Sequence, residues 1–362
     1  MFRLILILGV ILMKSNLRQI RVFMSVIMLG MIINNSIIYA QNNEADFQVE
    51  VTQDGTGVVI INYIGRNTIV NVPATIQGMP VREIASNAFP NHHILPITRV
   101  VIPEGVIIIR DRAFAGSGSG MRALISISIP NSVTSIGEWA FSSCSALTTI
   151  SIPNNVTSIS SYAFYRCSSL TTISIPNNVT SIQEYAFAYC NLISVTLPER
   201  LISIGDFVFF NNRNLTSVII PNSVTSIGGG AFANSGIISM TWSRNVTSID
   251  SNYDNDWPST EFGMFQGCTN LRTVIIPEGV NIINRYAFRG CSSLNSVSLP
   301  STIRVINMGA FSNCISLNEI IIPESVNRIE FNNYSSAIFS GCRNLPLVSQ
   351  ALLRRLGYSG SF

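Results

Sequence analysis

Seven cysteines, two adjacent histidines and one short acidic stretch are the residues of this 362-residue chain whose types could do chemistry. The cysteines stand at 144, 167, 190, 268, 291, 314 and 342, each three residues after a phenylalanine. Placed in phase on neighbouring strands, they would lie close to the Cα separation a disulfide tolerates, and an oxidising compartment would permit such bridges. The odd count and the regular spacing point instead to buried free thiols lining a turn, with bridging as the alternative. Zinc is a poor fit, because no C-x-x-C pair occurs and the only other soft ligands are His92 and His93.

The acidic stretch opens at Asp250. Asp250, Asn252, Asp254 and Glu261 fall at positions 1, 3, 5 and 12 of a calcium-loop pattern, with Asn255 where glycine is expected. Asparagine tolerates the left-handed backbone that this place requires. Against calcium, Pro258 occupies a position that often contributes through water, and no flanking helices are expected. The alternative is an ordinary solvated loop. Tyr253, Trp257 and Phe262 share the stretch. They are either interface anchors or a plug folded back on the molecule. No nucleophile elbow, H-E-x-x-H, phosphate-binding loop or dinucleotide fingerprint is present, and the histidine pair has no triad context. A non-enzymatic protein with no cofactor other than calcium is expected.

These residues sit in a repeat. From Pro73 onward one phrase recurs: an apolar strand, a proline, a polar turn, a second apolar stretch, then a small residue before phenylalanine. Leu147 to Cys167 reads LTTISIPNNVTSISSYAFYRC. The closing phenylalanines are Phe89, Phe114, Phe141, Phe164, Phe187, Phe209, Phe232, Phe265, Phe288, Phe311 and Phe339, mostly 22 or 23 residues apart. A fixed period in the twenties is the mark of a leucine-rich solenoid, in which each coil completes its neighbour's core. The expected fold is therefore a repeat solenoid of about eleven coils with parallel strands. Leu147, Ile150 and Ile152 turn inward by strand alternation, Pro153 ends the strand, and Asn154-Asn155 supply the turn. Extra residues fall before Phe89, around Asn333 and between Ser243, which replaces the proline, and Phe265.

Both ends differ from the repeat. Phe47 to Val51 and Val58 to Tyr63, joined through Asp54-Gly55, read as a hairpin covering the first coil. Pro346 to Leu356 reads as a helix with Val348, Leu352 and Leu356 as one apolar stripe, Arg354 and Arg355 in the last turn, and Gly357 as its stop. Residues 1–40 read as a signal peptide: Lys14, Arg18 and Arg21 precede an apolar run from Val22 to Ile38, ended by Tyr39-Ala40. An uncleaved membrane anchor is the alternative, and Met13 is a second candidate start. The organisation expected is a signal peptide at 1–40, a β cap at 41–72, a solenoid at 73–343 with an insertion at 250–262, and a cap helix and tail at 344–362.

Charge narrows the partners. Four of the 22 basic residues lie in the first 40, leaving 18 against 19 acidic ones, with only 11% of the chain charged and 47% hydrophobic. A near-neutral surface offers no basic face for phosphates, so nucleic acid is not an expected partner, and membrane is expected only through the export segment. A monomer is expected.

The phrase resembles the BspA-type leucine-rich repeats of bacterial surface proteins, whose units run L-x-x-I-x-I-P-x-x-V-x-x-I-x-x-x-A-F-x-x-C. Leu147 to Cys167, Leu170 to Cys190, Leu271 to Cys291 and Leu294 to Cys314 follow it almost position for position. The resemblance implies adhesion to host matrix proteins or other cells, and hence a secreted or cell-surface location. A structural or periplasmic scaffold without a host ligand is the alternative. The expected contact surface is the outward strand face: Thr148, Thr149 and Ser151, then Thr171, Thr172 and Ser174, then Thr216 and Ser217, then Arg272 and Thr273. The partner expected there is an extracellular protein or a cell-surface macromolecule. β-Branched residues are also simply good strand formers.

If the stretch from Asp250 to Glu261 binds calcium, excess calcium raises the melting temperature and a chelator lowers it; identical melting curves in the two conditions exclude the site.

Overall fold

A computed structural model describes residues 41–89, 96–116, 121–252, 262–329, 338–359 and 362. Each coil contributes two short strands. The first ends two residues before the proline and centres on an inward-facing apolar residue, as in Thr172–Ser174, Ser194–Thr196, Ser217–Ile219, Thr273–Ile275 and Ser296–Ser298. Alternation buries Ile173 between exposed Thr172 and Ser174. Pairing is parallel and joins equivalent places of successive coils, Thr172 to Ser194 and Thr273 to Ser296. The series begins at Ile69–Asn71, ahead of Pro73.

The second strand was not legible as a strand. Val156 and Ile159 do return to the core, but the pair Ser158–Ile159 forms a second parallel ladder with Ser181–Ile182, Ser203–Ile204 and Ser226–Ile227. Between the two strands, the second asparagine of the turn reaches back one coil. Asn155 Nδ2 donates to the Asn131 carbonyl and Asn178 Nδ2 to that of Asn154, both at 2.7 Å. The turn residues thus tie coils together as well as reversing the chain.

The third side of the coil is held by the phenylalanines. From Phe114 to Phe339 each ring stacks on the next, with centroids 5.3–5.9 Å apart and planes within 15°. All are fully buried. Offset stacking is a favourable arrangement for aromatic quadrupoles, adding about 0.5–1.5 kcal/mol per pair to area burial. The backbone follows the same step: Phe141, Phe164 and Phe288 N–H donate to Ala163, Ala186 and Ala310 carbonyls of the next coil at 2.8–2.9 Å. A small residue before the phenylalanine lets the chains approach this closely.

The caps end the stack with aromatics of their own. Phe47–Val51 pairs antiparallel with Val58–Tyr63, which continues in parallel to Met79–Ile84, so the hairpin extends the second sheet. Its Tyr63 stacks on Phe89 at 5.4 Å. The extra residues before Phe89 are a small hairpin turning at Gln77 and Gly78, both at positive φ. At the other end, Tyr358 meets Phe339 edge-on at 6.5 Å.

The terminal helix, α1 (Leu347–Arg355), is present, but its buried face differs from the expected stripe. Val348 is 65% exposed, whereas Ser349 and Leu353 are buried. The reason is the sheet edge. Ser349 Oγ donates to the Ile320 carbonyl at 2.7 Å and accepts from Ile322 N–H at 3.4 Å, standing in for the strand of a twelfth coil. An unpaired edge would otherwise recruit other chains.

Two substitutions test this frame by denaturant unfolding. Phe164→Ala is expected to cost about 3–5 kcal/mol as a core cavity, and Ser349→Ala about 1–3 kcal/mol by stranding the Ile320 carbonyl. Unchanged midpoints would place the column in solvent and the edge in no need of a partner.

Candidate interaction faces

The residues expected on the strand face are where alternation puts them. Thr148, Thr149, Ser151, Thr172, Ser174, Thr216, Ser217, Arg272 and Thr273 are exposed, and Thr171 is half-buried. They do not form one unbroken ladder. The first sheet is hydrogen-bonded in four pieces, with interruptions between Thr149–Ile150 and Thr172–Ser174, between Ser194–Thr196 and Ser217–Ile219, and between Ser239–Thr241 and Thr273–Ile275. At the first interruption Thr149, Ser151, Asn154, Thr172 and Ser174 line a shallow groove of about 370 Å3. Four hydroxyls and a carboxamide therefore converge where the strands part.

The insertion leaves and returns as the base of a hairpin, Ser251–Asn252 pairing antiparallel with Phe262–Gly263. The calcium candidates Asp254 and Glu261, and the aromatics Tyr253 and Trp257, lie outside the described residues, as do His92 and His93. Asp250 is engaged structurally, its carboxylate accepting from Asn284 Nδ2 at 3.0 Å. Asn284 in turn accepts from Asn307 Nδ2 at 2.9 Å, a short ladder across three coils. Among the described residues no group of histidine, cysteine and carboxylate side chains gathers as a metal site. Phe262 folds back: its ring meets Phe207 at 5.6 Å and Phe210 at 5.4 Å, edge to face.

Those contacts belong to an aromatic cluster that the sequence reading missed. Trp139, Tyr162, Tyr185 and Phe207 stand two residues before the core phenylalanine of four successive coils. They stack at 3.8, 4.8 and 4.6 Å. Tyr165 and Phe210 meet the stack edge-on, Tyr189 joins the two, and Arg166 lies over the rings of Tyr165 and Tyr189 at 5.2 and 5.4 Å. The stacked residues adopt left-handed backbone, Tyr162 at φ 57°, which costs a non-glycine residue roughly 1–2 kcal/mol. Gly230 takes the next place because a Cβ there would stand 2.3 Å from the Phe207 ring. The recurring aromatic at that offset was the available signal.

All seven cysteines are buried free thiols. Each Sγ reaches back one coil to the carbonyl of the preceding phenylalanine: Cys144 to Phe114 at 3.1 Å, Cys167 to Phe141 at 3.2 Å, Cys291 to Phe265 at 3.1 Å. The same carbonyl accepts the N–H of its own coil's cysteine, Cys144 to Phe141 at 3.2 Å, so both lone pairs are used.

A family model described as the BspA type leucine-rich repeat region matches the chain with 6 copies over residues 82–209, 180–255 and 259–350. The chain belongs to the BspA-type leucine-rich repeat family. Among solved structures it is similar to a leucine-rich cell surface protein from Faecalibacterium prausnitzii A2-165, at 24% identity over 85% of this chain and 100% of that one, with a TM-score of 0.40. A leucine-rich repeat protein from Bacteroides ovatus ATCC 8483 is 21% identical over 88% of this chain and 97% of that one, with a TM-score of 0.48. The leucine-rich repeat protein of T. pallidum is 24% identical over 89% and 99%, with a TM-score of 0.35. The sequence has no match among curated proteins.

In this BspA-type chain the two coils without a cysteine between Cys190 and Cys268 explain the column. Asn212 keeps the bond, donating through Nδ2 to the Phe187 carbonyl at 2.9 Å. Ser235 is too short, and its hydroxyl turns to Phe232 of its own coil. Cysteine is thus a small apolar residue whose S–H spans the coil gap. Burial pushes Cys190 up to about 12 and Cys268 to about 11 from an ordinary 9.0. Folding holds protons that the unfolded chain releases above pH 9.0, so this stabilisation is whole below that pH and is lost as pH rises toward 12. Iodoacetamide is expected to leave the native thiols untouched and to label them in denaturant, while the unfolding midpoint falls as pH rises above 9.0. Rapid labelling of the native protein would contradict burial.

Proposed function

We propose that this protein is a non-enzymatic interaction module, exported to the cell surface or beyond it, which binds an extracellular protein or cell-surface macromolecule as a monomer through its strand face. The observation that carries this reading is the groove of about 370 Å3 lined by Thr149, Ser151, Thr172 and Ser174, where an exposed face of low charge concentrates hydroxyls. Hydroxyls that both donate and accept, set on rigid strands, favour broad polar recognition without a matching field of charge. Membership in the BspA-type family and a relative described as a cell surface protein support the location. Adhesion to matrix proteins or to other cells is the specific role this reading adopts.

The test is binding of the purified chain to immobilised matrix proteins and to bacterial cells, with Thr172→Glu/Ser174→Glu as the variant. Both sites are exposed, so an unchanged melting temperature accompanies a loss of about tenfold or more in affinity. A chain that binds nothing above background and is absent from the cell surface is a scaffold instead.

A further inference from the structure

The first sheet is finished at each end by a single residue. At the C-terminal end it is Ser349, on Ile320 and Ile322. At the N-terminal end it is Asn42, whose N–H donates to the Asn71 carbonyl at 3.1 Å and whose Oδ1 accepts from Asn71 N–H at 2.8 Å. Ile69–Asn71 is the outermost strand of the sheet there, so Asn42 stands where an earlier coil would pair. The Asn42 amide also donates to Asp46 Oδ2 at 3.2 Å and to the Tyr63 hydroxyl at 3.4 Å, which fastens it to the cap hairpin. Gln41, one residue earlier, is exposed, and no hydrogen bond holds its side chain among the described residues.

That contrast bears on where the mature chain begins. Ala40 and Ala45 are the small residues nearby after which an export peptidase could cut. A cut after Ala45 would remove Asn42, together with Glu44, whose Oε2 accepts from Gln77 N–H at 2.9 Å. The outermost strand would then lose its partner. A cut after Ala40 keeps both residues and makes Gln41 the first. An α-amine has a pKa of about 8, so part of it is an uncharged nucleophile near neutral pH. The carboxamide carbon of the same residue lies within its reach, and an attack within one residue has the advantage of any tethered pair.

We infer that Gln41 is a modification site: hydrolysis of the Ala40–Gln41 bond during export frees its α-amine, which closes on its own side chain to a pyroglutamyl lactam. The α-nitrogen bonds to Cδ and the Cδ–Nε2 bond breaks. The leaving nitrogen departs as ammonia with the proton that the amine gives up, and no oxidant or reductant takes part. The lactam has no amine for an aminopeptidase to grip. Without it, trimming Gln41 and then Asn42 would free Asn71 and open the sheet edge, since the tolerance of a terminus to trimming follows the hydrogen bonds of the residues removed. The ring therefore guards the residue that starts the stack.

This inference rests on export of the chain, and the experiment separates the two. The full chain is expressed in a bacterium and recovered from outside the cytoplasm. Its intact mass is measured at once, and its N-terminal peptide is then sequenced by tandem mass spectrometry. The chain is expected to begin at residue 41 and to be one ammonia lighter than a glutamine start requires. Aminopeptidase should leave it unchanged until a pyroglutamyl peptidase has opened the end. Gln41→Ser, which cannot cyclise, should lose residue 41 and Asn42 to the same aminopeptidase and then melt at a lower temperature. A mature chain that starts at another residue, a Gln41 with a free amine, or equal trimming of the two proteins each overturns the inference while leaving export intact. A chain found only inside the cell with residues 1–40 attached overturns the export reading as well.

Discussion

Every coil must close by carrying the chain through a buried turn without stranding the polar groups of its phenylalanine. In the regular coils the phenylalanine N–H is met by the carbonyl of the residue before the next phenylalanine, usually alanine, and its own carbonyl by the cysteine N–H of its coil together with the thiol of the next; the Asn212 amide takes the thiol's place at Phe187, and Ser235 turns away from Phe209. Once both groups are met across the gap, the ring has one place to go, against the ring of its neighbour at 5.3–5.9 Å. Parallel strands, asparagine turns and caps all follow the same step. A buried backbone group left without a partner costs about 1–3 kcal/mol, and with eleven closings in series the constraint governs the whole stack.

The same constraint explains where variation is allowed. Side chains that point outward on the first sheet take no part in closing a coil, so that face can change from serine and threonine to exposed isoleucine along its length. The insertions after Asp250 and after Ile329 enter where a coil passes from its second strand to its closing turn, whereas the hairpin at Gln77 and Gly78 enters ahead of the second strand. In the one after Asp250, Phe262 seals the break by packing on Phe207 and Phe210. The coil closes again at Phe265 with its ring in line, 5.7 Å from Phe232.

The fold was largely legible because its determinants are single residues at a fixed period. Phenylalanine, cysteine and proline recur whatever lies between them, and the hairpin and terminal helix carry their own turn and stop signals. Strands of two residues are too short for alternation to register, so the Ser-Ile ladder was invisible. The stripe assigned to α1 failed because a serine, polar and apparently outward, is what the sheet edge required. Of the candidate surface, exposure of the Thr and Ser positions followed from alternation. The interruptions in the ladder that shape the groove at Thr149 and Thr172 fall between coils of nearly identical sequence, so no residue of the repeat marks them. The stacked Trp139, Tyr162, Tyr185 and Phe207 could have been found from their offset, but left-handed backbone is an unusual place to look for aromatic rings.

The central claim is that coil closing, one turn after another, holds the stack together and keeps its outward strand face in place. Amide hydrogen exchange across the purified chain tests it most directly. The account predicts that the Phe141, Phe164, Phe187 and Phe288 amides, each donating to the next coil, exchange only through opening of the stack and with closely similar protection. Exchange of these amides at the rate of an unfolded peptide, while the strand amides remain protected, would show that the turns do not carry the structure.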